Sequence, residues 1–326
     1  MMRKITFAKA INEALFQSME LSQDVIVLGQ SVDNKSGIFG TTTGLYDEFG
    51  SDRVQDFPNA ENIMTSTATG SALAGLRPVI IHQRLDFMIY SLDVIVNWMS
   101  LWRFKSNGKS GLPVTIRAIV GKGWGQGPQH SKSLHAWFAH LPGIKVAIPS
   151  TAYDAKGLLL ESIFGEDPSI IIENRSLFSM EDNVPEAPYR VRFGKSIKRR
   201  NGNDLTLVAI GDMVPLALRV AEYFKDNNFD IEVIDLRSAS PIDHKSIIDS
   251  VTKTKRLAIA DPAWKSVGLA SEIITFVYES LGSEMKSNPI RICLPDSHTP
   301  VASSLESNYY PNEEVFISSI NKLINN

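Results

Sequence analysis

Apolar positions recur along most of this chain in two alternating patterns. Short unbroken aliphatic runs predict buried strands, and stretches with apolar residues three and four apart predict amphipathic helices. Near the N-terminus Ile11, Ala14, Leu15 and Met19 keep helical spacing, and the run 25–28 follows as a strand. Residues 61–74 are also helical in pattern but carry Ala68, Gly70, Ala72 and Ala74. Small side chains let another backbone come close, and glycine weakens a helix, so packing or a ligand is expected to compensate. Strands are predicted at 79–82, 114–120, 144–148 and 169–173, with Ser150 capping a helix that runs to about Phe164.

The stretch 179–189 is acidic, contains Pro185 and Pro188, and reads as a linker. Beyond it, 191–198 and 205–210 flank the turn Asn201-Gly202-Asn203, which places Lys198, Arg199 and Arg200 on a solvated hairpin tip. A second series follows, with strands at 231–235, 257–260 and 290–294 and helices near 214–226, 267–281 and 312–324. Such alternation marks parallel sheets covered by helices. The expected fold class is therefore α/β, as two α/β domains covering 1–190 and 191–326, and a length of 326 residues suits two domains.

Composition narrows the function classes. A net charge of −3 gives no reason to expect nucleic acid or an anionic membrane as partner. No apolar run approaches the ~18 residues of a membrane span, and Met1-Met2-Arg3-Lys4 does not lead into a secretion signal. A cytoplasmic protein is expected. The single cysteine, Cys293, cannot form an internal disulfide and is expected as a buried, inert thiol.

Three local motifs stand out. The loop 121–130 is rich in glycine and ends in His130, but it matches neither the dinucleotide fingerprint nor the phosphate loop. It reads as a site rim or lid against the plainer reading of a flexible connection. His130, His135 and His140 are five apart, and a five-residue step turns a helix by about 140°, so they cannot share a face to bind metal. Asp56, Pro58 and Glu61 precede the small-residue helix, and by themselves are a turn followed by an acid that the helix dipole favours.

The succession of these pieces resembles the beta subunit of pyruvate and branched-chain 2-oxoacid dehydrogenases, within the transketolase-like superfamily, over essentially the whole chain. The resemblance rests on Asp56-Phe-Pro-Asn-Ala-Glu61, Ala74-Gly-Leu-Arg-Pro78, Gln129-His-Ser-Lys-Ser133, Ala136-Trp-Phe-Ala-His-Leu-Pro-Gly143, Pro149-Ser-Thr-Ala-Tyr-Asp-Ala-Lys-Gly157 and Thr299-Pro-Val301. It implies a pyrimidine-binding domain followed by a transketolase C-terminal-like domain. It further implies thiamine diphosphate as cofactor, with Glu61 bonding the aminopyrimidine ring, Phe87 packing on that ring and His130 acting on the 2-oxo acid or during acyl transfer. A potassium ion, held in some members by the loop matching Ser162, Ile163, Gly165 and Asp167, is implied as well.

The family's magnesium-diphosphate signature, Gly-Asp-Gly with a later Asn, is not found, since Met213 follows Gly211-Asp212. Magnesium is therefore expected on an alpha subunit, in an alpha2beta2 assembly with a beta dimer within it, and a lipoyl acyltransferase component is the expected acyl acceptor. Gln30 stands where the family usually has an acid, and Ile81, His82, Arg84 and Leu85 also depart from its pattern. The leading reading is decarboxylation of a 2-oxo acid with transfer to a lipoyl domain. Two others are kept: a split transketolase-like enzyme with another acceptor, and a noncatalytic partner-binding chain.

Overall fold

The structure, a computed structural model, describes residues 2–325. Its larger sheet has seven strands, in edge-to-edge order Ser238–Ser240, Lys145–Ala147, Ser169–Asn174, Thr115–Val120, Arg77–His82, Val25–Gly29 and Val54–Asp56. All neighbours are parallel except the first pair. Helices cover both faces, which is why the inner strands read as unbroken apolar runs rather than as alternation. The helices Phe7–Leu21 and Ala152–Ile163 pack together over one face, burying Ile11, Leu15, Leu158 and Leu159. Thr6 caps the first by accepting from Lys9 N, and Thr151 caps the second by accepting from Asp154 N.

The smaller sheet runs Ile290–Leu294, Leu257–Trp264, Leu205–Ala209, Ile231–Asp235 and Ile197–Arg200, with only the last strand antiparallel. One apolar cluster passes from Ile80, Ile116 and Ile170 of the large sheet through Phe138 to Val208, Ile234 and Ile273 of the second half. The two halves thus share core. No helix among the described residues is long and apolar enough to cross a membrane.

Four expectations are corrected. Residues Glu181–Pro185, within the stretch read as a linker, form a strand antiparallel to Met2–Thr6; the pairing partner lies so far back in sequence that no local pattern signals it. Ser150 is not the helix cap; its hydroxyl donates to Asp235 Oδ2 at 2.5 Å, across to the second half. The segments around 197 and 205 are not a hairpin, because Ile231–Asp235 lies between them in the sheet. Nor are the three basic residues a solvated tip. Lys198 pairs with Glu232, and Arg200 Nη1 with Asp230 at 2.8 Å. Arg199 Nη2 pairs with Asp154 and, at 2.8 Å, with Asp235 Oδ2.

That last arrangement joins the halves. Asp154 and Asp235 are fully buried, and Arg237 adds a second ion pair to Asp154 at 2.5 Å. Burial pushes the Asp235 carboxyl up, the Arg199 charge pulls it back down, and Asp154 adds repulsion. Removing the shared cation leaves one buried carboxylate with only Ser150 and a backbone N–H as partners. Arg199→Met is therefore expected to destabilise the chain by about 3 kcal/mol. Urea denaturation measures it, and a loss under about 1 kcal/mol, the scale of an exposed pair, contradicts the assignment.

Candidate active site

Glu61 opens the helix Glu61–Leu73, where its charge meets the positive end of the helix dipole. It lines an open cleft of about 900 Å³ together with Gln30, Asn59, Gln83, Phe87 and Tyr90. Glu61 Oε1 accepts from Gln30 Nε2 at 3.2 Å, and Gln83 Nε2 donates to the Gln30 carbonyl at 2.8 Å. Among the described residues, nothing in this chain bonds Glu61 Oε2. The edge of the cleft is fixed by Ser31 N, which donates to Asp56 Oδ1 at 2.5 Å.

Phe87 and His130 meet edge to face, with ring centroids 5.3 Å apart. The structure therefore brings Glu61, Phe87 and His130 to one region, from a helix start, a short helix and a loop end. His135 is elsewhere: it is buried, with Nε2 2.9 Å from Asp261 Oδ1 of the second half. His140 is exposed.

The glycine loop is fastened rather than loose. Glu306, reaching over from the second half, accepts from Gly123 N and Gly125 N, both at 3.0 Å. Gly121 N donates to the His130 carbonyl at 2.9 Å, closing the loop on itself. A Cβ at Gly121 would lie 2.4 Å from that carbonyl, and one at Gly127 would lie 2.8 Å from Val301 Cγ2. Glycine here permits close approach. Lys132 Nζ binds Asp86 Oδ1 at 3.0 Å, tying the loop's far end to the segment that bears Phe87.

The residues expected to hold potassium have other partners. Arg77 Nη1 donates to the Gly165 carbonyl at 2.8 Å and to that of Ile163 at 3.2 Å. Asp167 pairs with Arg103 and lies 3.8 Å from Lys145. Ser162 bonds Thr115 and Ser169. A guanidinium supplies the positive charge on these carbonyls, so the loop does not fit the potassium assignment. Asp212 belongs to a strand-to-helix turn, and it pairs with Lys122 at 2.7 Å. Cys293 is only half-buried, and burial with the nearby Asp261 charge pushes its thiol up to about 12.

Sequence reasoning passed over Glu306 and the Arg84–Gln126 bond of 2.9 Å. Neither has a local signal, since each partner lies far along the chain. His82, one of the departures from the family pattern, has a structural place. It is buried beneath the glutamate helix, its Nε2 3.2 Å from Thr65 Oγ1, which in turn bonds Ser91.

Comparison with known proteins adds to this geometry. Residues 3–180 match the family model "Transketolase, pyrimidine binding domain", and residues 194–315 match "Transketolase, C-terminal domain". The chain is 36% identical over 321 residues to the beta subunit of an acetoin:2,6-dichlorophenolindophenol oxidoreductase of Cupriavidus necator, covering 95% of each chain. It is 36% identical over 324 residues to the pyruvate dehydrogenase E1 component subunit beta of Bacillus subtilis, covering 99% of each. A solved split-gene transketolase, described as an inactive beta4 tetramer, shares the fold with a TM-score of 0.76 at 22% identity, over 98% of both chains.

Burial depresses the His82 imidazole to about 3, so it stays neutral in the folded chain at neutral pH. The unfolded chain takes up a proton below about 6.5 while the folded one does not, so stability falls as pH drops through that window. Between pH 7.5 and 5.0 this residue is expected to cost about 2 kcal/mol. His82→Gln keeps a partner for Thr65 and should shrink the pH dependence by that amount. Equal denaturation midpoint shifts in both proteins would sink the assignment.

Proposed function

The chain belongs to the transketolase-like family of beta subunits of thiamine diphosphate-dependent 2-oxoacid dehydrogenases, and from this we propose that it provides the pyrimidine half of a cofactor site completed by an alpha subunit. The observation that carries the reading is the Glu61 carboxylate. It stands at a helix N-terminus in an open cleft, one oxygen steadied by Gln30 and the other free of bonds among the described residues. That donor set fits an aminopyrimidine, whose ring nitrogen offers a proton to a carboxylate and whose face packs on an aromatic such as Phe87.

Bound there, thiamine diphosphate supplies the carbanion chemistry for decarboxylating a 2-oxo acid. Glu61 holds negative charge where the pyrimidine nitrogen docks and so favours its protonated form. Phe87 orients the ring, and the Phe87 edge contact in turn holds the His130 imidazole. A His130 ring nitrogen then gives or takes a proton at the substrate oxo group, or during acyl transfer. The Glu306 latch keeps His130 in place without using the cleft itself.

Magnesium and diphosphate belong to the alpha subunit in this proposal, in an alpha2beta2 complex that hands its acyl group to a lipoyl domain. The small-residue helix supports such docking: a Cβ at Gly70 meets nothing within 4 Å, so its glycine serves no packing within this chain. A second reading, transfer to a different acceptor, draws support from Gln30 in the cleft and Arg84 one turn before Phe87, both unlike the family pattern. The chain alone should not decarboxylate 2-oxo acids. Activity should return on adding the alpha subunit, thiamine diphosphate and magnesium, and a lipoyl-domain acceptor assay separates the two readings.

In the reconstituted enzyme, Glu61→Gln should slow proton exchange at the thiazolium carbon by orders of magnitude while cofactor affinity changes little. Proton exchange followed by NMR measures this, and an unchanged rate removes Glu61 from the role.

His130→Ala should leave that exchange nearly intact and lower acyl transfer roughly 10²–10⁴-fold. His130→Asn keeps a hydrogen-bonding side chain that cannot titrate. Near-normal transfer with Asn makes His130 a structural latch; equal impairment with both supports proton transfer.

A further inference from the structure

Two arginines beside the loop have no carboxylate partner. Arg84 is only 7% exposed, yet its one side-chain hydrogen bond among the described residues runs from Nη2 to Gln126 Oε1, and its Nε is buried without a partner. Its sequence neighbour Asp86 binds Lys132 through Oδ1 and forms no ion pair with Arg84, acting on it only through its charge at longer range. Arg175 forms no side-chain hydrogen bond or ion pair among the described residues. Its guanidinium instead stacks against aromatic rings, 4.6 Å from the centroid of Phe39, 5.1 Å from Phe178 and 5.3 Å from Trp124.

The two cations lie against the same ring, since the Arg84 guanidinium is 5.1 Å from Phe39. Burial, and then the Arg175 charge, pull the Arg84 guanidinium below its usual value, against a smaller opposing pull from Asp86. A buried charge normally sits with an opposite one, because desolvation is costly otherwise. Here two like charges are gathered instead. Aromatic stacking compensates a cation only partly.

The Arg84 carbonyl accepts from Phe87 N at 3.1 Å, so Arg84 lies one turn from the ring against His130. Gln126, its side-chain partner, belongs to the loop that ends at His130. Trp124, on the same loop, is 55% exposed over Arg175. The paired guanidiniums therefore flank the reacting region, on the loop side.

Resting on the thiamine-enzyme reading above, we propose that Arg84 and Arg175 form a subsite for a second anionic group, a carboxylate or phosphate, on the molecule that reacts beside His130. Guanidinium forks suit such oxygens, and a dry setting strengthens the bonds. The anion is carried either by the donor, as a 2-oxo diacid, or by the acceptor, as a phosphorylated aldehyde.

Trp124 reports on the subsite directly. Its fluorescence, identified by loss of the signal in Trp124→Phe, is followed while inorganic phosphate or glutarate is added at constant ionic strength. The full chain is titrated both alone and in complex with its alpha subunit. Saturable responses are expected in both, weakened at least tenfold by Arg84→Met and by Arg175→Met, with circular dichroism confirming folding. No saturable response, equal binding by the variants, or binding lost in the complex each overturns the subsite. In the last case the alpha subunit covers the arginines.

Turnover then identifies the source. The reconstituted enzyme is offered 2-oxoglutarate against pyruvate as donor, and glyceraldehyde 3-phosphate against glyceraldehyde as acceptor. Arg84→Met should lower kcat/KM at least tenfold more for the member of one pair that carries the additional anionic group, and that pair names the carrier. Equal losses in both pairs overturn the proposal. An enzyme inert to every substrate would instead count against the thiamine reading, while the phosphate titration still judges the subsite.

Discussion

A single guanidinium shared by two fully buried carboxylates governs how the halves of this molecule meet. Asp154 comes from the first half, Asp235 from the second, and Arg199 lies against both. Charges of this kind stay ionised in a dry setting only if paired. The pairing therefore fixes an orientation as well as a contact, because Arg199 has one fork to divide between two fixed partners. Ser150 and Arg237 complete the arrangement. The second half's hold on the glycine loop, the Glu306 grip on Gly123 and Gly125, depends on that orientation.

The site follows from this frame. Glu61 owes its place to the start of a helix whose buried face is Met64, Thr65, Ala68 and Ala72. Gln30 then matters through what it is not. A second acid there would repel Glu61, whereas the amide donates a neutral hydrogen bond to it. His82, neutral beneath the helix, likewise adds a polar contact without adding charge. The departures from the family pattern around the cleft therefore put a neutral amide against Glu61 and a cation, Arg84, against the glycine loop.

What could be read from the sequence divides by the range of the interaction. Parallel strands such as Val25–Gly29 and Ser169–Asn174 were legible because burial on both faces writes an unbroken apolar run into the chain itself. The helix His244–Thr254 was missed, although Asp243 accepting from Ser246 N is a local cap, because its buried face is only Ile247, Ser250, Val251 and Thr254. Glu61, Phe87 and His130 were legible through resemblance, not through any property of their own neighbourhoods. Glu306, Arg199 as a joint, Arg77 on the Ile163 and Gly165 carbonyls and the Arg84–Arg175 pair were not. Each is defined by a partner that only the fold brings near, and an arginine in isolation looks solvated until a buried carboxylate or carbonyl is found beside it.

The strand Ser238–Ser240 bears on how the protein is born. It belongs by sequence to the second half but pairs with Lys145–Ala147 at the margin of the first sheet. While the ribosome is still making the residues between, that margin offers unpaired backbone groups to any passing strand, the situation in which nascent chains stick to one another. Its brevity, three residues on each side, limits the hazard. The first half is thus a structure on loan until its last strand arrives, and a chain cut between the halves would expose that edge permanently.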